Sequence, residues 1–369
     1  MKINVVEEFI ALASLNSPSR REAPVANYLI KRLKELGGAV TVDVSAHLTG
    51  SDTGNLIVRV PGNAPGPTLL LCAHMDTVGP TEGMTPVIRD GFIYSNGETV
   101  LGADDKAGIA IILTVLAELL TGNIPHGGIE IVFTVQEEVG LVGAKHLQAE
   151  LHADFGYILD SSEEVGSIIN QAPSQVSLDF VLEGKAAHAG VCPEKGINAI
   201  VAAASAIARL RTGRIDAQTT SNVGIISGGK ARNIVPDRAE VAIEVRSTEK
   251  IKLDREVGAV LAAFNEAAAA FGARLTVRRD APFETFLIPE AHPVIANAFR
   301  AGRSIGIEPC LKTTGGGMDA NVFNSRGLTC VGLGLGVGDP HSPQEHISLA
   351  QLEAGVRFIE ALLREAVYR

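Results

Sequence analysis

Histidines and carboxylates recur in this sequence where apolar runs end. Residues 68–73 lead directly into His74-Met75-Asp76. In an extended segment residues i and i+2 face the same side. His74 can therefore ligate a metal while Asp76 fixes the tautomer and orientation of its ring. Asp104 and Asp105 sit between Gly102 and Gly108 at the start of an apolar helical stretch, where plain N-capping is the bland reading. Residues 131–135 run into Gln136-Glu137-Glu138, and paired carboxylates after a buried strand are costly unless something cationic meets them. Residues 157–159 end at Asp160, and a glycine-rich strand and loop leads to His341-Ser342-Pro343-Gln344-Glu345.

Each segment alone has an ordinary explanation. Their shared position is the signal, because ligands of open α/β sheets sit outside the carboxyl ends of the strands. Two histidines with several carboxylates and no cysteine form a hard-to-borderline ligand set suited to zinc, cobalt or manganese. Five ligands from such a set are too many for one tetrahedral zinc with an open position. They suit two metals sharing a carboxylate. A water between two cations loses its proton near neutral pH, and Glu137, next to Glu138, can take that proton and pass it to a leaving amine.

The elements that must position these residues alternate. Residues 5–36 read as two helices broken at Ser17-Pro18, 56–60 and 68–72 as strands, 107–120 as a helix, and 130–135 and 157–159 as strands. Strands alternating with helices predict an α/β layer architecture. The middle third differs. Residues 175–182 alternate as a half-buried strand does, followed by a helix at 197–210, strands at 222–227 and 240–245, a helix at 253–271 and a strand at 274–277. That order is a compact α+β sandwich that could be a self-contained insert. The last third returns to α/β, with a strand at 329–335. Ser348 and Gln351 form a plausible capping box that opens a final helix with Leu349, Leu352, Val356, Ile359 and Leu363 on one face.

Bulk properties narrow the function classes. The chain has 369 residues, a natural length for about two domains. It carries 42 acidic against 32 basic residues, a formal net charge of −10. A nucleic-acid partner is disfavoured, since it wants a basic footprint. Two glutamates stand where a secretory signal needs an apolar run, and the longest apolar stretch, near residues 107–120, is too short to span a bilayer. The four cysteines form no CxxC pair, so reduced thiols and a cytoplasmic location are expected. GIISGGK at 224–230 imitates part of a phosphate-binding loop, but Ala231 stands where a Ser or Thr is required.

HMDTV, GADDKAG, VQEEVGLVGA, Leu159-Asp160, AHAGVCPEKGINAI, NIVPD and HSPQEHI occur in this order. The set resembles the di-zinc exopeptidase family that includes aminoacylases, glutamate carboxypeptidases and peptidase T. Through GADDKAG and TGGGMDAN it is most similar to the peptidase T-like, tripeptide aminopeptidase-like branch. The resemblance covers essentially the whole chain.

It implies a zinc-exopeptidase-type α/β catalytic domain, a mixed sheet flanked by helices, formed by residues 1–172 and 285–369. An inserted α+β lid and dimerisation domain would occupy 173–284. His74, Asp104 and Asp160 would hold one divalent metal, most simply zinc. Asp104, Glu138 and His341 would hold the other, with Asp104 bridging. Glu137 would be the general base and Asp76 the orienter of His74. The peptide bond between Asp104 and Asp105 would be cis, and His346 a bystander. His188, from the other subunit of a homodimer, would stabilise the oxyanion. Asn233 and Arg246 would bind the substrate's carboxylate or backbone, and Gly316 would bring backbone near it; for Arg246 a strand-end salt bridge is the competing reading. The implied activity is removal of N-terminal residues from short peptides. Two alternatives are deacylation of N-acyl amino acids at the same metal centre and non-catalytic metal or peptide binding; the latter should have lost Glu137 or a ligand.

Overall fold

The computed structural model describes residues 3–120 and 124–367. The chain divides into two compact units, Met1–Ala172 with Leu287–Arg369, and Pro173–Phe286.

The first unit is built on a nine-stranded mixed sheet. Its centre is four neighbouring parallel strands, Ile129–Thr134, Leu69–His74, Phe155–Ser161 and Cys330–Gly334. Strand Leu56–Val60 joins antiparallel on one side and Ser167–Ala172 on the other. Every residue of Leu69–His74 and Ile129–Thr134 is buried, which explains why both are mostly apolar: a parallel strand is covered on both faces. The exception, Glu130, is paired with Arg59 at 2.9 Å. Helix Ala103–Leu120 packs on Leu69–His74 and Phe155–Ser161, and against helices Val5–Ala13 and Leu349–Glu365. It is enclosed on nearly all sides, so it is apolar all round rather than striped. Asp104 and Asp105 inside its assigned span are non-helical, so the regular helix starts close to the predicted 107.

Some elements depart from expectation. Helices Pro293–Ser304 and Asp319–Ser325 and strands Ser167–Ala172 and Cys310–Thr313 were not assigned from sequence. The predicted capping box is half formed. Ser348 accepts the Gln351 N–H, but the Gln351 side chain accepts the Val165 N–H instead of reaching back.

The second unit is a five-stranded antiparallel sheet in the order Gly213–Arg214, Thr219–Gly228, Arg238–Ser247, Ser174–Glu183, Arg274–Phe283. Ser174–Glu183 alternates buried and partly exposed residues along its length. Its inward residues Val176, Leu178, Phe180 and Leu182 meet helices Ala199–Ile207 and Lys250–Phe271. The rings of Phe180 and Phe264 stack at 3.8 Å within that core.

Candidate metal centre

The parallel strands deliver their carboxyl ends to one edge of the sheet. His74 ends Leu69–His74, Asp160 lies near the end of Phe155–Ser161, and Glu137 and Glu138 follow Ile129–Thr134. His341 comes from residues 339–345, which join the paired strands Val337–Gly338 and His346–Ser348. Asp339 and His341 both have left-handed backbone there. Asp104 opens the buried helix, and the Asp104–Asp105 peptide is cis. Close packing brings that helix to the strand end. A Cβ on Gly108 would stand 2.5 Å from Asp105 Oδ1 and 2.5 Å from the Leu159 carbonyl.

The two oxygens of Asp104 face two different histidines. Oδ1 lies 3.1 Å from His74 Nε2 and Oδ2 lies 3.2 Å from His341 Nε2. His74 Nε2 is also 3.8 Å from Asp160 Oδ1, and His341 Nε2 is 3.2 Å from Glu138 Oε1. Groups tight enough to hold an ion include His74 with Asp104 and Glu138, and His74 with Glu137 and Asp160. Those groups overlap at His74. The facing oxygens argue instead that Asp104 is the shared ligand, because a carboxylate can serve two ions and one imidazole nitrogen cannot. Glu138 Oε1 makes no hydrogen bond among the described residues although His341 Nε2 is close.

The electrostatics fit a cationic occupant. Burial pushes the Asp160 carboxyl well above its usual range, and the neighbouring Glu137 and Asp104 carboxylates push it further. Burial likewise raises Glu138, with His341 opposing, and raises Glu137 well above the usual range, with His74 opposing. Burial also disfavours the Asp104 charge, but contact with His341 and His74 holds its carboxyl well below the usual range. Two imidazoles cannot neutralise this many enclosed carboxylates. Divalent cations can, and the oxygen and nitrogen donors suit zinc, cobalt or manganese.

Asp76 is fully buried. Its carbonyl oxygen is 3.0 Å and its Oδ1 3.4 Å from His74 Nδ1, leaving Nε2 to face the ligand cluster. The same carboxylate accepts the Glu137 N–H at 2.9 Å and the Glu138 N–H at 3.3 Å. Asp76 thus aims both a histidine and the glutamate pair. His346 stacks on Tyr94 instead of entering the cluster.

The remaining candidates are described within their own units. In the second unit His188 is exposed and bridges to Ile234, with the Ala189 N–H donating to the Asn233 carbonyl, so His188 and Asn233 are neighbours. Arg246 pairs with Glu244 at 3.2 Å, the strand salt bridge that was the competing reading. Gly316 lies in the first unit, in the link before helix Asp319–Ser325. A Cβ there would meet only Thr314 Oγ1, at 3.7 Å, so the chain's own packing does not require this glycine.

Several supporting residues were given no role of their own from sequence. Ser19 donates to Asp76 Oδ2 at 2.6 Å. Glu345 accepts the Gly102 and Asp104 N–H groups; its spacing from His341 was the available signal. Buried Lys106 donates to the Leu15 carbonyl at 2.6 Å. Asp319, pushed up to about 6 by burial, accepts the Thr134 hydroxyl. Ser19 and Lys106 work through tertiary contacts that leave no local pattern.

Residues 70–365 match the model of peptidase family M20/M25/M40. The chain is 39% identical to the protein YqjE of Bacillus subtilis (strain 168) over 98% of each chain. It superposes on the crystal structure of aminopeptidase PepT from Bacillus cereus ATCC 10987 with TM-score 0.88 at 39% identity, covering 99% of this chain and 100% of that one. A tripeptidase from Staphylococcus aureus gives TM-score 0.93 at 34% identity, covering 99% of each.

Proposed function

The chain belongs to peptidase family M20/M25/M40, and from that premise we propose that it removes N-terminal residues from tripeptides and similarly short peptides at a two-metal centre. It is a metal-dependent hydrolase of peptide bonds. The tripeptide preference draws support from the likeness to an aminopeptidase PepT and a tripeptidase, each covered almost end to end.

One observation carries the metal assignment: the two Asp104 oxygens address His74 and His341 separately. In this reading His74, Asp104 and Asp160 hold one ion and Asp104, Glu138 and His341 the other, with zinc, cobalt and manganese as candidates. Such ions, when bound, acidify a water and polarise the scissile carbonyl. Glu137 accepts the proton from the attacking water and later delivers it to the departing amine. Its burial suits that work, because desolvation raises the proton affinity of the carboxylate above that of an exposed one and so makes it a stronger base. Asp76 keeps His74 and the Glu137 backbone in place.

His188 is assigned the oxyanion contact. Its Nδ1 accepts the Gly190 N–H at 3.2 Å, so the neutral ring keeps its proton on Nε2 as a donor. Asn233 and Arg246 are assigned the substrate's carboxylate or backbone, with Arg246 exchanging Glu244 for it, and Gly316 a backbone contact. A homodimer through the second unit is supported by strand Thr219–Gly228, where Ile225 and Ile226 are 63% and 53% exposed. Half-paired apolar edges of this kind invite a partner strand. A cytoplasmic location is supported by four free thiols. No helix of the described residues is long and apolar enough to cross a membrane.

The test is a hydrolysis panel of di-, tri- and tetrapeptides alongside N-acyl amino acids, with zinc-, cobalt- and manganese-loaded enzyme. Tripeptides should give the highest kcat/KM. Faster turnover of N-acyl amino acids would replace this reading with a deacylase.

A further inference from the structure

Glu137 leaves its strand through Gln136, a buried residue whose φ of 51° lies in the left-handed region. Residues with a Cβ adopt that conformation reluctantly. Three successive N–H groups of this turn point at two buried carboxylates. Asp76 receives those of Glu137 and Glu138, and Glu22 Oε1 receives that of Gln136 at 3.1 Å.

Glu22 is 114 positions from Gln136 in sequence and has no exposed surface. It occupies the N-cap position of helix Ala23–Glu35 yet does not cap it. Asp52 Oδ1 accepts the Ala23 N–H instead, at 2.8 Å. The Glu22 carboxylate is free for the turn, and it is held there: Oε1 also accepts the Arg20 N–H at 2.8 Å and Oε2 accepts the Ser51 hydroxyl. Asp76 cannot substitute for it. Its Oδ1 is engaged by the Glu137 N–H and its Oδ2 by Ser19 and the Glu138 N–H.

We propose that Glu22 is a positioning residue for Glu137: by taking the Gln136 N–H it holds the left-handed hinge from which the general base is aimed. The inference rests on reading Glu137 as that base. Without Glu22 the Gln136 N–H loses its acceptor in a buried position, and an unpaired buried donor is costly. The turn then relaxes and the Glu137 carboxylate moves; Glu138 shares the turn, but the other four proposed ligands come from other segments and retain the ions.

The test uses metal-loaded, full-length enzyme with the peptide hydrolysed fastest. Glu22→Met, Glu22→Asp, Glu22→Gln, Glu137→Gln and the double variant Glu22→Met/Glu137→Gln are compared for kcat, KM, metal content and Tm. Glu22→Met, which removes the acceptor, and Glu22→Asp, which withdraws it, should keep both metals and hold KM within about twofold while kcat falls about 10–100-fold, the scale of a small misplacement of a reacting group. Glu22→Gln, whose carbonyl oxygen can still accept the Gln136 N–H, should retain more kcat than Glu22→Met. In the Glu137→Gln background Glu22→Met should cause no further loss, because it acts through the residue already removed. Glu22→Asp keeps the buried charge and carries the test should the methionine variant fail to fold. Wild-type kcat in Glu22→Met and Glu22→Asp, a loss expressed in KM or metal content, or equal losses in both backgrounds overturns the proposal. Wild-type kcat in Glu137→Gln alone overturns the general-base reading beneath it.

Discussion

Glu345 Oε1 accepts the Asp104 backbone N–H at 2.9 Å, and its other oxygen accepts that of Gly102 at 2.8 Å. A buried carboxylate thus fixes the loop that presents Asp104, the proposed shared ligand. Glu345→Gln keeps the shape but turns an amide donor toward one of these N–H groups. We expect a folded protein whose metal affinity falls about 10–100-fold, the usual cost of removing a ligand's hydrogen-bonding support. Competition against a chromophoric chelator measures it. Unchanged affinity would show that the loop holds itself.

Glu137→Ala should retain both metals and lose turnover by about 10²–10⁴-fold, the usual share of a general base. Treatment with EDTA should abolish activity in the unaltered enzyme, and zinc, cobalt or manganese should restore it. Elemental analysis beside initial rates checks both. Full activity in a verified metal-free preparation contradicts the two-metal reading.

The metal-free protein should lose stability as pH rises. Contact with Asp104 and Glu138 pushes the His341 ring up to about 10. A group with a raised folded-state pKa contributes stability that is complete below its unfolded value, near 6.5, and disappears as pH climbs through the folded value. Glu138 and Asp160, raised by burial, act in the same direction, since the folded chain holds protons that the unfolded chain releases. His341 is half exposed, so solvent screens part of its effect. Bound cations replace those protons. The Tm gap between metal-loaded and metal-free protein should therefore widen from pH 6 to pH 9, and calorimetry should detect proton release on zinc binding. A gap that narrows contradicts this.

Two glycines should respond oppositely to alanine. At Gly108 the new methyl meets Asp105 and the Leu159 carbonyl at 2.5 Å, and overpacking of this kind costs about 1–3 kcal/mol. At Gly258, exposed within helix Lys250–Phe271, a Cβ meets nothing within 4 Å. There alanine should stabilise by about 0.5–1 kcal/mol through helix propensity alone. Urea unfolding of the two variants provides the comparison, and a stable Gly108→Ala would show that helix and strand can part without penalty.

The catalytic framework was legible where burial is uniform or strictly alternating. Leu69–His74 and Ile129–Thr134 are covered on both faces and read as mostly apolar segments, and Ser174–Glu183 alternates because one face meets helices. Cys310–Thr313 is largely exposed and pairs only along Ser167–Ala172, so no pattern marks it. Helix Pro293–Ser304 does carry a signal, Pro293 at its start and buried Val294, Ile295, Ala298 and Ala301 at helical spacing, which the sequence assignment leaves unused. The proposed ligand residues stood out because charged groups ending apolar runs are anomalous. Ser19 and Glu22 did not, because polar residues between helices are ordinary until Asp76 and Gln136 arrive from far along the chain.

The strands that begin and end the second unit, Ser174–Glu183 and Arg274–Phe283, are hydrogen-bonded neighbours, with Phe283 opposite Gln175. Beyond them the Thr285 N–H reaches Ser174 Oγ at 2.7 Å, and the Ile288 N–H reaches the Asn170 carbonyl at 2.8 Å. The chain therefore departs and returns at nearly one point, about a strand spacing of 5 Å wide. Such a junction makes the unit a cassette. A gene could gain, lose or exchange it by joining two adjacent ends, and an engineer could close the gap with a short turn and leave the sheet that carries the proposed metal ligands uncut.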